Sequence, residues 1–150
     1  MTSTPRFKVP REPDRTFVDF ASLKRPRSPN TFLVAPEGLC LRARPDMVSP
    51  VFPVPPGDLF HAIATLVSSE PLWRLAAADP GQLRLAFVAQ TPIFRFRDDV
   101  DVEVLPEAAG PAGEATSSRL AAYSRSRVGH SDLGANARRI RNLIKKLGAA

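Results

Sequence analysis

The chain has little of what disulfide-stapled, metal-binding or membrane-spanning proteins are built from. A single cysteine, Cys40, excludes an internal disulfide. Set in the apolar run Gly38-Leu39-Cys40-Leu41, it reads as a small buried hydrophobe rather than a reactive thiol. Lone-cysteine usage also fits a reducing compartment. The two histidines, His61 and His130, are far apart and far from Cys40, which gives no zinc-ligand spacing. Asp98, Asp99, Asp101 and Glu103 stand close in sequence, but alternate acids on a strand make a solvated face more often than a cation site. No metal and no cofactor is therefore expected. Glycine patterns of the Walker or dinucleotide kind are absent, as is a G-x-S-x-G elbow. His130, Ser131 and Asp132 are residue types of a hydrolytic triad, but neighbours in sequence diverge where a triad must converge. Ser124 or Ser126 with His130 as base has no further pattern behind it, so a non-enzymatic protein is expected. No stretch approaches the roughly 20 apolar residues that span a bilayer, and the N-terminus has no apolar leader run. The cytoplasm, or the inner face of a membrane, is the default location.

Proline, by contrast, is abundant. Most of the 16 prolines fall within the first 56 residues, where fixed φ and missing donors leave room for little helix or central strand. Residues 1–30 read as an extended basic arm, and 31–150 as the folded domain, long enough to bury a core. The composition, 43% hydrophobic and 24% charged, is that of a globular protein. The net charge of +6 is unevenly spread. Residues 1–30 hold seven Lys/Arg against three acids, 51–118 hold four against nine, and 119–150 hold eight against one. Basic ends around an acidic middle suggest internal pairing, with the remainder left for an anionic partner.

Thr31 to Ala35 reads as a first strand, closed by Pro36-Glu37-Gly38. A helix is expected from an N-cap at Asp58, with Leu59, Ile63, Leu66 and Val67 facing the core and Pro71 ending it. Trp73 follows as an anchor. Gln82 to Gln90 alternates with Leu83, Leu85, Phe87 and Ala89 on one face. Asp99 to Leu105 alternates with Val100, Val102 and Val104 on one face and acids on the other. The link between them alternates too, at Ile93-Phe94-Arg95-Phe96-Arg97. Residues 108–113 are a loop, and Ser118 to Ser126 is the last strand. From Asp132 a closing helix places Leu133, Ala137, Ile140, Ile144 and Leu147 on its core stripe, with a cationic end that suits its dipole. The fold class expected is α+β: an antiparallel sheet of about four strands with two helices on one face, preceded by the extended arm.

The segment Ser124-Arg125-Ser126-Arg127-Val128-Gly129-His130-Ser131-Asp132-Leu133-Gly134-Ala135-Asn136-Ala137-Arg138-Arg139-Ile140 resembles the C-terminal signature of the DUF1499 family, S-x-S-R-V-G-x-S-D-x-G-x-N-x-x-R-I. Arg25-Pro26 with Ser28-Pro29-Asn30, and Phe96-Arg97-Asp98-Asp99-Val100, extend the likeness to about residues 19–147. The resemblance implies no activity. In many members of the family that it resembles, hydrophobic membrane segments lie ahead of the domain, where this chain has its basic arm.

Two readings of the signature stand side by side. In one, Asp132 caps the helix, and Arg127 and Arg139 pair with Asp98 or Asp99 to clamp helix to sheet. In the other, Arg127, Ser131, Asp132, Asn136 and Arg139 gather at the helix start as an anion or small-ligand site. The function expected first is an accessory binding or assembly module. Arg6, Lys8, Arg11, Arg15, Lys24, Arg25 and Arg27 of the arm would dock it onto a larger protein complex or an anionic surface. Nucleic acid is the weaker partner, since Tyr123 is the only aromatic beside the basic cluster and no known module is spelled out.

Overall fold

The computed structural model describes residues 17–129 and 132–148. Its elements are β1 (Thr31–Ala35), β2 (Met47–Val48), α1 (Pro56–Ser69), β3 (Trp73–Asp79), β4 (Arg84–Gln90), β5 (Arg97–Ala109), β6 (Ala115–Ser126) and α2 (Ala135–Gly148). The sheet has six strands in the order β2-β1-β6-β5-β4-β3. All neighbours are antiparallel except β1 and β2, which run parallel. The α+β class stands, and the four-stranded antiparallel sheet is corrected to a six-stranded mixed one. The two extra strands carry weak signals. β2 has only two residues, and β3 (Trp-Arg-Leu-Ala-Ala-Ala-Asp) is alanine-rich where strands prefer branched and aromatic residues.

The register sorts the side chains. Val100 pairs with Ser124 and Phe87, and Val102 with Ala122 and Leu85. These residues share a face with Phe32 and Val34, and that face is buried under Leu59, Phe60, Ile63 and Val67 of α1 and Ile140, Leu143 and Leu147 of α2. Trp73 stacks on Phe87 with ring centroids 4.7 Å apart. Helix α1 starts three residues earlier than expected. Pro56 opens it with the pre-set φ of a first helical residue, Pro55 occupies the cap position, and Asp58 lies in the first turn. It ends at Ser69, with Glu70 already extended ahead of Pro71. Helix α2 starts later than expected. Leu133 precedes it in a left-handed conformation (φ 53°) and is 85% exposed, so it leaves the core stripe, and Leu143 takes a core place instead.

The second face carries a smaller core of Leu33, Ala35, Ala121 and Tyr123, covered by Phe20 with Val18, Leu23, Leu39, Cys40 and Ala43. Residues 17–30 contain neither helix nor strand, but Phe20 is buried and Val18 N–H donates to Asp101 Oδ1 at 3.2 Å. That part of the expected arm therefore belongs to the folded domain. Arg25 is drawn inward as well. It pairs with Asp46 at 2.6 Å and bonds the Thr31 hydroxyl at 2.9 Å, so it ties this segment to the sheet. Lys24 and Arg27 are exposed. Arg6, Lys8, Arg11 and Arg15 lie outside the described residues.

Tyr123 is the single tyrosine of the chain. Burial pushes its hydroxyl above the ordinary value, against the opposing pull of Arg125 and a hydrogen bond with Thr31. Absorbance titration at 295 nm therefore reads this residue alone, and its midpoint is expected above the usual value near 10. The folded state holds that proton more tightly than the unfolded chain. Its contribution to stability is thus full below the unfolded value and is lost as pH rises through the folded one. A midpoint at or below 10 in the native protein would mean that the arginines and the Thr31 hydrogen bond outweigh burial.

Candidate functional site

The acids expected on a solvated strand face are instead each matched by an arginine. On the second face Arg127 pairs with Asp99 at 2.9 Å, Arg125 with Asp101 at 2.9 Å, and Arg84 with Glu103 at 3.5 Å. Asp101 is 2% exposed, so this is a half-sealed ionic layer. Among the described residues no cluster of metal-binding side chains occurs. Asp98, one step along the strand from Asp99, projects to the opposite face. There Arg139 Nη2 of α2 stands 2.8 Å from Asp98 Oδ2, with both side chains buried. Neither carboxylate oxygen has a well-aligned hydrogen-bond partner among the described residues, so the contact is chiefly charge on charge.

Around that pair lies a polar knot centred on Asn136, which is fully buried in the first turn of α2. Its Oδ1 accepts from the Ser124 hydroxyl at 2.6 Å and from Arg139 Nη1 at 3.0 Å. Its Nδ2 faces the Asn30 carbonyl at 2.9 Å, Ser126 Oγ at 2.9 Å and Asp132 Oδ2 at 2.6 Å. Arg139 Nη1 also donates to Ser124 Oγ at 3.0 Å. Asn30 closes the ring from the other side. Its carbonyl accepts from Ser126 N–H at 3.1 Å, and its amide donates to the Gly129 carbonyl at 2.7 Å. A buried network of this kind is stable because nearly every member is satisfied.

The turn into α2 is built by Asp132. Its Oδ1 accepts from Gly134 N–H at 2.7 Å, and its Oδ2 accepts from Asn136 N–H at 3.2 Å, taking donors the helix leaves open. Gly134 (φ 81°) follows Leu133 in the left-handed region, which favours glycine, and a Cβ there would stand 3.1 Å from Arg138. Ser131 and His130 lie outside the described residues. Of the expected ligand set, Asp132, Asn136 and Arg139 are brought together and bonded to one another. Arg127 is not among them, because it is on the other face of the sheet. Arg139 ties α2 to β5 through Asp98, the helix-to-sheet clamp expected, whereas Arg127 ties the end of β6 to β5 through Asp99.

Sequence reasoning missed the groove beside this knot. It measures about 1060 Å³ and is walled on one side by Arg138, Asn142 and Lys146, spaced four apart along α2. Its other side is the β4–β5 turn, and Trp73 and Leu72 form one end. That turn is closed by Thr91, whose Oγ1 and N–H bond the Phe96 N–H and carbonyl at 2.9 Å each. Phe94 and Phe96 stack with centroids 5.6 Å apart, yet Ile93 is 84% and Phe94 74% exposed. Val128 and Leu133, from the turn opposite, are exposed on the same groove. The signal lay in the Ile-Phe-Arg-Phe alternation, which reads as strand although Arg95 turns left-handed (φ 57°) and breaks it.

A family model described as a protein of unknown function, DUF1499, matches residues 23–147. No curated protein matches the chain.

Proposed function

Since the chain belongs to the DUF1499 family, whose description assigns no activity, we propose from its geometry that it is a non-enzymatic binding module docking through the groove end of its sheet. One observation carries this reading: the exposed large hydrophobics Ile93, Phe94, Phe96, Val128 and Leu133 come from two separate turns and meet on one groove. Single exposed apolar residues are ordinary, but a gathered set beside polar walls is the mark of an interaction surface. The two turns each hold a left-handed residue other than glycine, Arg95 and Leu133. Such backbone costs about 1–3 kcal/mol and persists where the surroundings impose it. The polar groups beneath support binding rather than chemistry, because Ser124, Ser126, Asp132, Asn136 and Arg139 are engaged with one another. The cationic arm supports the same role less directly, now that Arg25 is spent on Asp46.

A benzophenone amino acid placed at position 94, and separately at exposed Leu41 in the loop near the second face, tests this by photo-crosslinking in cells. Capture from position 94 with little from 41 is the expected result. No capture from 94, or equal capture from both, would remove the groove as the docking end.

A further inference from the structure

The groove has a neighbour. Around the end of the sheet, on its second face, a smaller pocket of about 290 Å³ is lined by Arg74, Arg97 and Arg127. Register places them together: Arg74 pairs with Val88 on β4, Arg97 with Gln90, and Arg127 N–H donates to the Arg97 carbonyl at 3.2 Å. Arg127 is tied to Asp99. Arg74 and Arg97 are exposed and make no ion pair among the described residues. Three guanidiniums on one strand-end surface repel one another, and the Asp99 carboxylate paired with Arg127 offsets part of that. A bound oxyanion would complete the balance, and guanidinium is the side chain best shaped to hold one.

The two cavities are not independent. Pro71, Leu72, Trp73 and Gln90 line both. An apolar recess and an arginine pocket that share one wall call for a partner with both chemistries side by side. We infer that this end of the domain binds an anionic amphiphile, with its apolar body against Phe94, Phe96 and Trp73 and its phosphate or carboxylate head among Arg74, Arg97 and Arg127. This rests on the groove being the docking end, and it names what docks. A purely polar polyanion would leave the groove uncovered, whereas an uncharged apolar segment would leave the arginines unmatched.

Trp73 is the only tryptophan in the chain and touches both cavities, so its fluorescence reports on either. The full chain is titrated with dodecyl phosphate below its micelle concentration, with dodecanol, and with inorganic phosphate. Dodecyl phosphate is expected to bind at least about tenfold more tightly than dodecanol, a difference of about 1.4 kcal/mol, and inorganic phosphate far more weakly than either. An Arg74→Gln/Arg97→Gln variant should bring dodecyl phosphate down to the dodecanol level and leave dodecanol unchanged. An Ile93→Ser/Phe94→Ser variant should weaken both chain-bearing probes. All four positions are exposed, and the circular dichroism spectrum checks that each variant is folded. Equal binding of dodecyl phosphate and dodecanol, or no effect of the arginine substitutions, overturns the head-group assignment and leaves the groove standing. Failure of both chain-bearing probes to bind overturns the amphiphile altogether, while position 94 still reports whether the groove docks a protein. Tight inorganic phosphate binding would assign the arginines to a free anion instead.

Discussion

An Asn136→Asp variant is expected to lose more stability than Asn136→Ala, although aspartate is by far the closer match in shape. Alanine removes the hub of the knot: the Ser124 hydroxyl loses its acceptor, and the Asn30 carbonyl and Asp132 Oδ2 each lose one of two donors. A small cavity is left as well. Lost buried hydrogen bonds of this kind make the expected cost about 3 kcal/mol. Aspartate fills the space but turns the donating Nδ2 into an acceptor, aimed at an Asp132 oxygen 2.6 Å away and at the Asn30 carbonyl. Arg139 can answer only one side of the new carboxylate. A poorly compensated buried charge raises the expected cost to about 4–5 kcal/mol. For a domain of this size the alanine change alone should lower the melting temperature by about 10 °C. Urea denaturation of both variants decides it. If the aspartate protein were as stable as the parent, the amide would not be oriented as described.

The second large effect belongs to Arg139. Changing it to Met strands Asp98 without a counter-charge in a site only 1% exposed, and also removes a donor from Ser124 and Asn136. Breaking one side of a buried pair is expected to cost about 3–5 kcal/mol. Replacing Asp98 by Val in the same protein should return at least about 2 kcal/mol of that. Val suits a strand and leaves no buried charge, and desolvation no longer opposes folding. A double-mutant cycle measures the coupling directly. Additive losses would mean that Asp98 and Arg139 act independently, and that the clamp between α2 and β5 rests on packing alone.

Much of this arrangement was legible in the sequence, where local signals agreed with the final context. Thr31–Ala35 keeps its bounds, and Val100, Val102 and Val104 share the core face as expected although their strand runs from Arg97 to Ala109, because period two survives wherever one side of a strand is buried. The pairings of Arg127 and Arg139 were legible as a choice between Asp98 and Asp99. Which arginine takes which acid, and on which face, needed the strand register. Consecutive strand residues point oppositely, so one unit of register decides whether two arginines meet or are held apart by the sheet. Leu133 shows the opposite failure. Its spacing fits the helical stripe, yet Asp132 bonds Gly134 and bends the chain before the helix begins. The groove escaped notice because Ile93, Phe94 and Phe96 look like core residues in a one-dimensional pattern, and exposure is a property of the turn that carries them.

The strand order has a consequence for how the molecule is made. β3, β4 and β5 follow one another in both sequence and space, so a growing chain can pair them as soon as they emerge. β1 is synthesised before all of these, but its antiparallel partner is β6, and Asn30 waits longer still for Asn136, 106 residues downstream. Its inner edge therefore stays unpaired until the C-terminal quarter is in place, and unpaired strand edges invite contact with other chains. Vectorial synthesis thus leaves the N-terminal strand exposed longest, and the last helix to appear locks Asn30, just before β1, to the end of β6. A chain that stops short of that helix would keep its early meander and be left with an open flank.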